Sequence, residues 1–135
     1  MKATQGQMIR AYGAIRRLTA YRLDSAEKAL RLWRIWKAAE AAYEFQAAEE
    51  RKLIEQYHGE ADGESTVRFR TPEDAEKYRT AQAELGEVEI GAEIVPVRLS
   101  DADLEQIRIS AEDIDRLTGL VIFPGTEDNE TEAGA

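Results

Sequence analysis

Apolar residues recur at helical spacing through the first third of the chain. Met8, Tyr12, Ile15 and Leu18 share one face and predict a first helix over about residues 5–21. Gly13 inside it costs roughly 1 kcal/mol against alanine, so this helix needs a packing partner. Asp24 is placed to cap a second helix, and Glu27 three residues later completes a capping-box pattern. From Ser25 to Tyr57 there is no glycine or proline, and eleven positions are alanine or leucine. As one helix that run would extend on the order of 50 Å. Leu32, Trp36, Ala39, Tyr43, Gln46, Glu50, Leu53 and Tyr57 alternate by four and three, a heptad-like stripe with polar interruptions at Gln46 and Glu50. Between Leu30 and Ala48 the apolar residues spread past a single seam, as Trp33, Ile35 and Phe45 join them. A helix apolar on several sides must be covered on several sides. The first helix is expected over one flank, and the C-terminal part or a second copy over another. Trp33, Trp36, Tyr43 and Phe45 are the expected anchors of the core or of an interaction seam. His58-Gly59 ends the run, with glycine free to take the left-handed capping conformation.

The period then changes. Residues 58–66 read as an exposed turn region, and Val67 and Phe69 alternate with Arg68 and Arg70 as a short strand at most. Thr71-Pro72-Glu73-Asp74 is a helix start, with a capping threonine, proline at the first helical position and acids in the first turn. That helix is expected to end near Leu85-Gly86. Val88, Ile90, Ala92 and Ile94 alternate with polar or small residues as a half-buried strand. Val95, Val97 and Leu99 continue on the opposite parity, so a bulge or bend is expected near Ile94–Pro96, and the proline argues for an edge. Ser100 opens a short helical turn, residues 106–110 could form a short strand, and Ser110 with Asp113 opens a helix through Leu117. Leu120, Val121, Ile122 and Phe123 close the core. The expected fold is α+β and predominantly α: a long antiparallel helical hairpin, about 5–57, carrying a small β-containing C-terminal cap, about 65–124. Residues 1–124 read as one domain and 125–135 as an acidic tail whose composition predicts disorder.

A length of 135 residues fits one domain, and 43% apolar against 33% charged residues allows one modest core under a large solvated surface. The net charge of -9 is unevenly placed. The first 37 residues carry nine Lys/Arg against two acids, and the remaining 98 carry nine against twenty-five. Such polarity speaks to association rather than to fold. Either the basic end complements the acidic body within one molecule, or Arg16, Arg17, Arg31 and Arg34 form a docking face for an acidic partner. Glu87, Glu89 and Glu93 form the corresponding candidate acidic face.

Without cysteine there is no disulfide, thiolate metal site or cysteine nucleophile. His58, the single histidine, reads as a helix-end or surface residue. Gly59 and Gly63 flank acids, which repel phosphate. The carboxylate clusters Asp101, Asp103, Glu105 and Glu112, Asp113, Asp115 lack calcium-loop spacing. Basic residues beside Trp33 and Trp36 could serve nucleic acid, but the net negative charge opposes phosphate and disfavours it. No catalytic residue, metal or cofactor is assigned, and the chain is expected not to be an enzyme. No apolar run approaches a membrane span, and the N-terminal residues lack a signal-peptide stretch, so the expected location is cytoplasmic.

The order of pieces also resembles a known group. Lys28-Ala-Leu-Arg-Leu-Trp-Arg-Ile-Trp-Lys37, Tyr43-Glu-Phe45, Glu50-Arg-Lys-Leu-Ile-Glu-Gln-Tyr57 and Ala61-Asp-Gly63 are followed by Glu87-Val-Glu-Ile90. The ending is Leu99-Ser-Asp-Ala-Asp-Leu-Glu105 and Ile109-Ser-Ala-Glu-Asp-Ile-Asp-Arg-Leu117. This resembles a widespread group of small, uncharacterised proteins encoded by tailed bacteriophages and prophages. The likeness covers nearly the whole chain except the acidic tail and rests on structural motifs, and the double tryptophan is not part of it. The resemblance implies a phage origin, with the host cytoplasm or the virion as location, and names no activity. The expected role is non-catalytic binding of a phage or host protein, with self-association possible, as an assembly accessory or host-directed effector. The alternative is an acidic, DNA-mimicking inhibitor of a host nucleic-acid-binding or defence enzyme.

Overall fold

The computed structural model describes residues 2–63 and 66–125. A short strand, β1 (Lys2–Thr4), leads into α1 (Gln5–Leu18), and α2 (Ala26–Gln56) follows as one unbroken helix. Thr4 caps α1 by accepting the Gln7 N–H at 3.1 Å. α1 stops at Leu18, short of the expected Tyr21, because the N–H groups of Thr19, Ala20 and Tyr21 fold back onto the carbonyls of Ile15, Arg17 and Leu18. Residues 19–25 reverse the chain, and α2 returns along α1. Tyr12 bridges the two helices, its ring stacked on Tyr43 at 4.6 Å and meeting Trp36 at 5.1 Å. Ser25, not Asp24, caps α2 and accepts the Lys28 N–H at 3.2 Å. Asp24 is held elsewhere, by the Lys28 ammonium and the Ser100 hydroxyl.

Beyond the helix pair the order is β2 (Gly59–Ala61), β3 (Val67–Phe69), α3 (Pro72–Glu87), β4 (Glu89–Glu93), β5 (Val97–Arg98), α4 (Asp101–Gln106), α5 (Ala111–Arg116) and β6 (Val121–Ile122). Among the described residues three two-stranded sheets result: β1 with β4 and β2 with β3, both antiparallel, and β5 with β6, parallel. α4 and α5 supply the crossover that a parallel pair requires. The fold is thus α+β and predominantly α.

The core lies between α1, the first half of α2 and the C-terminal segment. Met8, Ile15 and Leu18 meet Leu32, Ile35 and Ala39, and Val97, Leu99, Leu117, Leu120 and Val121 close over them. Beyond Ala42, α2 contributes no buried residue, and neither does α3. These two helices and the β2–β3 hairpin form a thinner arm. Its seam is partly polar, with Gln46 and Gln82 both donating to the Glu50 carboxylate.

Some local expectations change. His58, not Gly59, takes the left-handed conformation after α2, with φ of 59°. Gly59 lies in β2, where a Cβ would come within 2.9 Å of Ile54, Val67 and Phe69. Residues 106–110 form no strand: the Ile107 N–H returns to the Leu104 carbonyl as a helix end. The tail expected to be disordered begins at Gly125, and its residues 126–135 lie outside the described ones.

Candidate protein-binding surface

The first half of α2 shows different side chains to different neighbours. Leu32, Ile35, Ala39 and Ala42 face inward and are buried. Trp33 sits one residue beyond Leu32, about 100° further round the helix, and α1 does not reach it. It is 53% exposed, and Tyr43 is 49% exposed. Both had been expected as core or interaction anchors; they are surface residues. Trp36 is half-buried against the core. Tyr12 of α1 joins Trp36 and Tyr43 in one ring cluster across the α1–α2 groove, at the ring distances given above, and Trp33 stands apart from it on α2. The Lys37 ammonium lies 5.9 Å from the Trp33 ring, within cation–π range, and 3.2 Å from Glu40.

Phe45, the fourth expected anchor, belongs to another stripe. Leu30, Arg34, Ala38, Ala41 and Phe45 recur every three or four residues and border a trough whose opposite wall is β4. Sequence reasoning missed the exposed role of Leu30, for which the spacing of that second stripe was the available signal; Tyr12, read on the apolar face of the first helix, is half-buried against the core.

The candidate basic residues do not act as one face. Arg17 forms a two-point pair with Asp113, Nε to Oδ2 at 3.1 Å and Nη2 to Oδ1 at 2.6 Å. Arg31 pairs with Glu27 at 2.7 Å. Arg16 and Arg34 are exposed, Arg16 one turn from Tyr12 on the same side of α1. Lys28 reaches Asp24 and Asp103, each at 2.9 Å.

Asp103 is the most constrained charge among the described residues. Burial opposes its ionisation, yet the Lys28 ammonium, the backbone N–H groups of Ser100 and Asp24 and the Ser100 hydroxyl all bond it. The carboxyl is held at about 2, below its usual range. The same ring of bonds, first Lys28 to Asp103, holds the Lys28 ammonium above its ordinary value. A lysine so held stays protonated and cannot serve Ser100 as a general base. The cluster is a clamp between the start of α2 and the start of α4.

The candidate acidic residues share one exposed stretch of the chain. Glu87 ends α3, Glu89 and Glu93 bracket β4, and all three are exposed. Many other acids pair with cations three or four positions away on their own helix, as in Glu49–Lys52, Glu73–Lys77, Glu76–Arg79 and Glu112–Arg116.

Among the described residues, no group of three or more His, Asp or Glu side chains comes together to hold a metal ion. No helix among them is long and apolar enough to cross a membrane. Compared with family models, curated proteins and solved structures, the chain gives no match in any of the three.

Proposed function

We propose that this chain is a non-catalytic protein-binding module of phage or prophage type, acting as an assembly accessory or a host-directed effector. The observation that carries the reading is the pair of half-exposed aromatic rings on α2, Tyr43 at the edge of the Tyr12–Trp36–Tyr43 ring cluster and Trp33 on the same helix, which together form the aromatic ridge. Tryptophan and tyrosine dominate binding energy when a partner desolvates them, and a half-exposed Trp33 has that energy still to gain. Lys37 and Arg16 border the ridge, so the partner's rim is acidic. The phage setting rests on the sequence resemblance alone.

The DNA-mimic reading has less support. It needs regular rows of unneutralised carboxylates, whereas about half of the helical acids pair with lysines or arginines, which breaks up such rows.

Affinity capture from infected or lysogenic cells tests the proposal, comparing the natural chain with Trp33→Ser/Tyr43→Ser. The natural chain should recover a particle protein or one host protein, and the variant should lose it while keeping its Tm within a few degrees. Undiminished recovery by the variant removes the ridge from the function.

A further inference from the structure

β4 has a second edge. Among the described residues the β1–β4 sheet has two strands, so one side of β4 is bonded to no other described strand. The Gln5 N–H donates to the Val88 carbonyl at 2.8 Å, which turns that carbonyl toward β1. Backbone groups alternate in direction along an extended chain, so the N–H and C=O of Glu89 point the other way, to the outer edge.

Beside that edge lies the trough between β4 and α2. It comprises two recesses, about 430 Å³ and 260 Å³, which share Ala38 and Ala92 in their walls. Leu30 and Phe45 border it from the helix, and Val88 and Val95 from the strand side. All four are large apolar residues left exposed. Gln5 adds a polar feature: it is 7% exposed, lines the smaller recess, and its Oε1 accepts no hydrogen bond among the described residues. An unpaired strand edge, an apolar trough and a buried acceptor without a donor occur together.

We propose that this edge takes up an extended segment of a partner protein as an added strand, apolar on the face over α2 and lysine- or arginine-bearing on the other. Main-chain bonds to β4 supply the affinity and alternate side chains the choice of partner. Glu87 and Glu89 are exposed and meet no cation among the described residues, and they select the basic face. On the helix wall Arg31 is paired with Glu27 and Arg34 is exposed, so Arg34 turns the partner's cations toward the glutamate side. A second copy is the poorer fit. Antiparallel pairing of β4 with itself about Gly91 sets Glu89 against Glu93 of the other copy, and like charges directly opposite are destabilising.

The test uses the full chain, isotope-labelled, titrated with a synthetic eight-residue peptide of alternating lysine and valine, and with its glutamate–valine counterpart. The lysine peptide should shift signals of residues 88–95, Leu30 and Phe45, and slow exchange of the Glu89 amide proton. Glu87→Lys/Glu89→Lys, both at exposed positions, should weaken it at least tenfold. No shifts up to about 1 mM peptide, equal binding of the glutamate peptide, or shifts without Glu89 protection would overturn the proposal. Trp33→Ser/Tyr43→Ser should bind the peptide unchanged, which separates this edge from the aromatic ridge.

Discussion

At the scale of single residues, the end of α2 shows how space and backbone freedom divide between neighbours. Glycine is the residue best suited to a positive φ, yet here His58 adopts it at 59° and Gly59 does not. Gly59 is needed for a different reason, since Ile54, Val67 and Phe69 leave no room for a Cβ. His58→Gly should therefore stabilise the protein by about 1 kcal/mol and raise Tm by a few degrees in thermal unfolding. Gly59→Ala should do the reverse and loosen the β2–β3 hairpin, read as faster amide exchange at Phe69. An unchanged Tm for both would mean that neither strain nor space matters at this turn. The pair His58-Gly59 was legible as a helix stop; which residue turns and which makes room was not, because the decision rests on Val67 and Phe69 across the hairpin.

At the scale of elements, α2 was readable from the absence of glycine and proline over its whole run, and α3 from Thr71 and Pro72, whose roles are local. The assignment of aromatic side chains on α2 was less so. Helical period tells which residues share a face, but not which face the neighbour covers. α1 packs along the face of Leu32, Ile35, Ala39 and Ala42, and it leaves Trp33 and much of Tyr43 on the same stretch in view. Trp36→Ala should cost about 3 kcal/mol, at the low end for a large core residue because the ring is half-buried. Trp33→Ala should stay within about 0.5 kcal/mol of the natural chain. Chemical denaturation of the two variants checks this, and equal losses would return Trp33 to the core. β1 and β2 escaped sequence reading because three-residue strands such as Lys2–Thr4 and Gly59–Ala61 carry no alternation long enough to register. The serine-capped turns were readable, as Ser100 and Asp103 lie within one helical turn of each other.

At the scale of the molecule, two carboxylates tie the C-terminal segment to the helix pair, Asp113 to Arg17 of α1 and Asp103 to Lys28 of α2. Because the folded Asp103 carboxyl lies at about 2, below its value in the unfolded chain, its contribution is full above about pH 4 and is lost as pH falls toward 2. Between those limits the stability difference amounts to about 2 kcal/mol. Acid titration followed by circular dichroism should show the natural chain weakening through this window, and Asp103→Asn weakened already at pH 7 with a flatter profile. A steep acid transition in Asp103→Asn would place the sensitivity at another carboxylate. This clamp also settles part of the charge asymmetry, since the basic end of the chain is matched internally at Arg17 and Lys28 while Arg16 and Arg34 remain at the surface. By itself the sequence determined the long helix, the caps and the α-rich class, since those depend on residues within one or two helical turns of each other. Only the tertiary structure decided that Trp33 lies outside, that β4 pairs with the first residues of the chain, and which carboxylates the cations meet. Those outcomes join positions tens of residues apart, where coverage and pairing depend on how every intervening element packs.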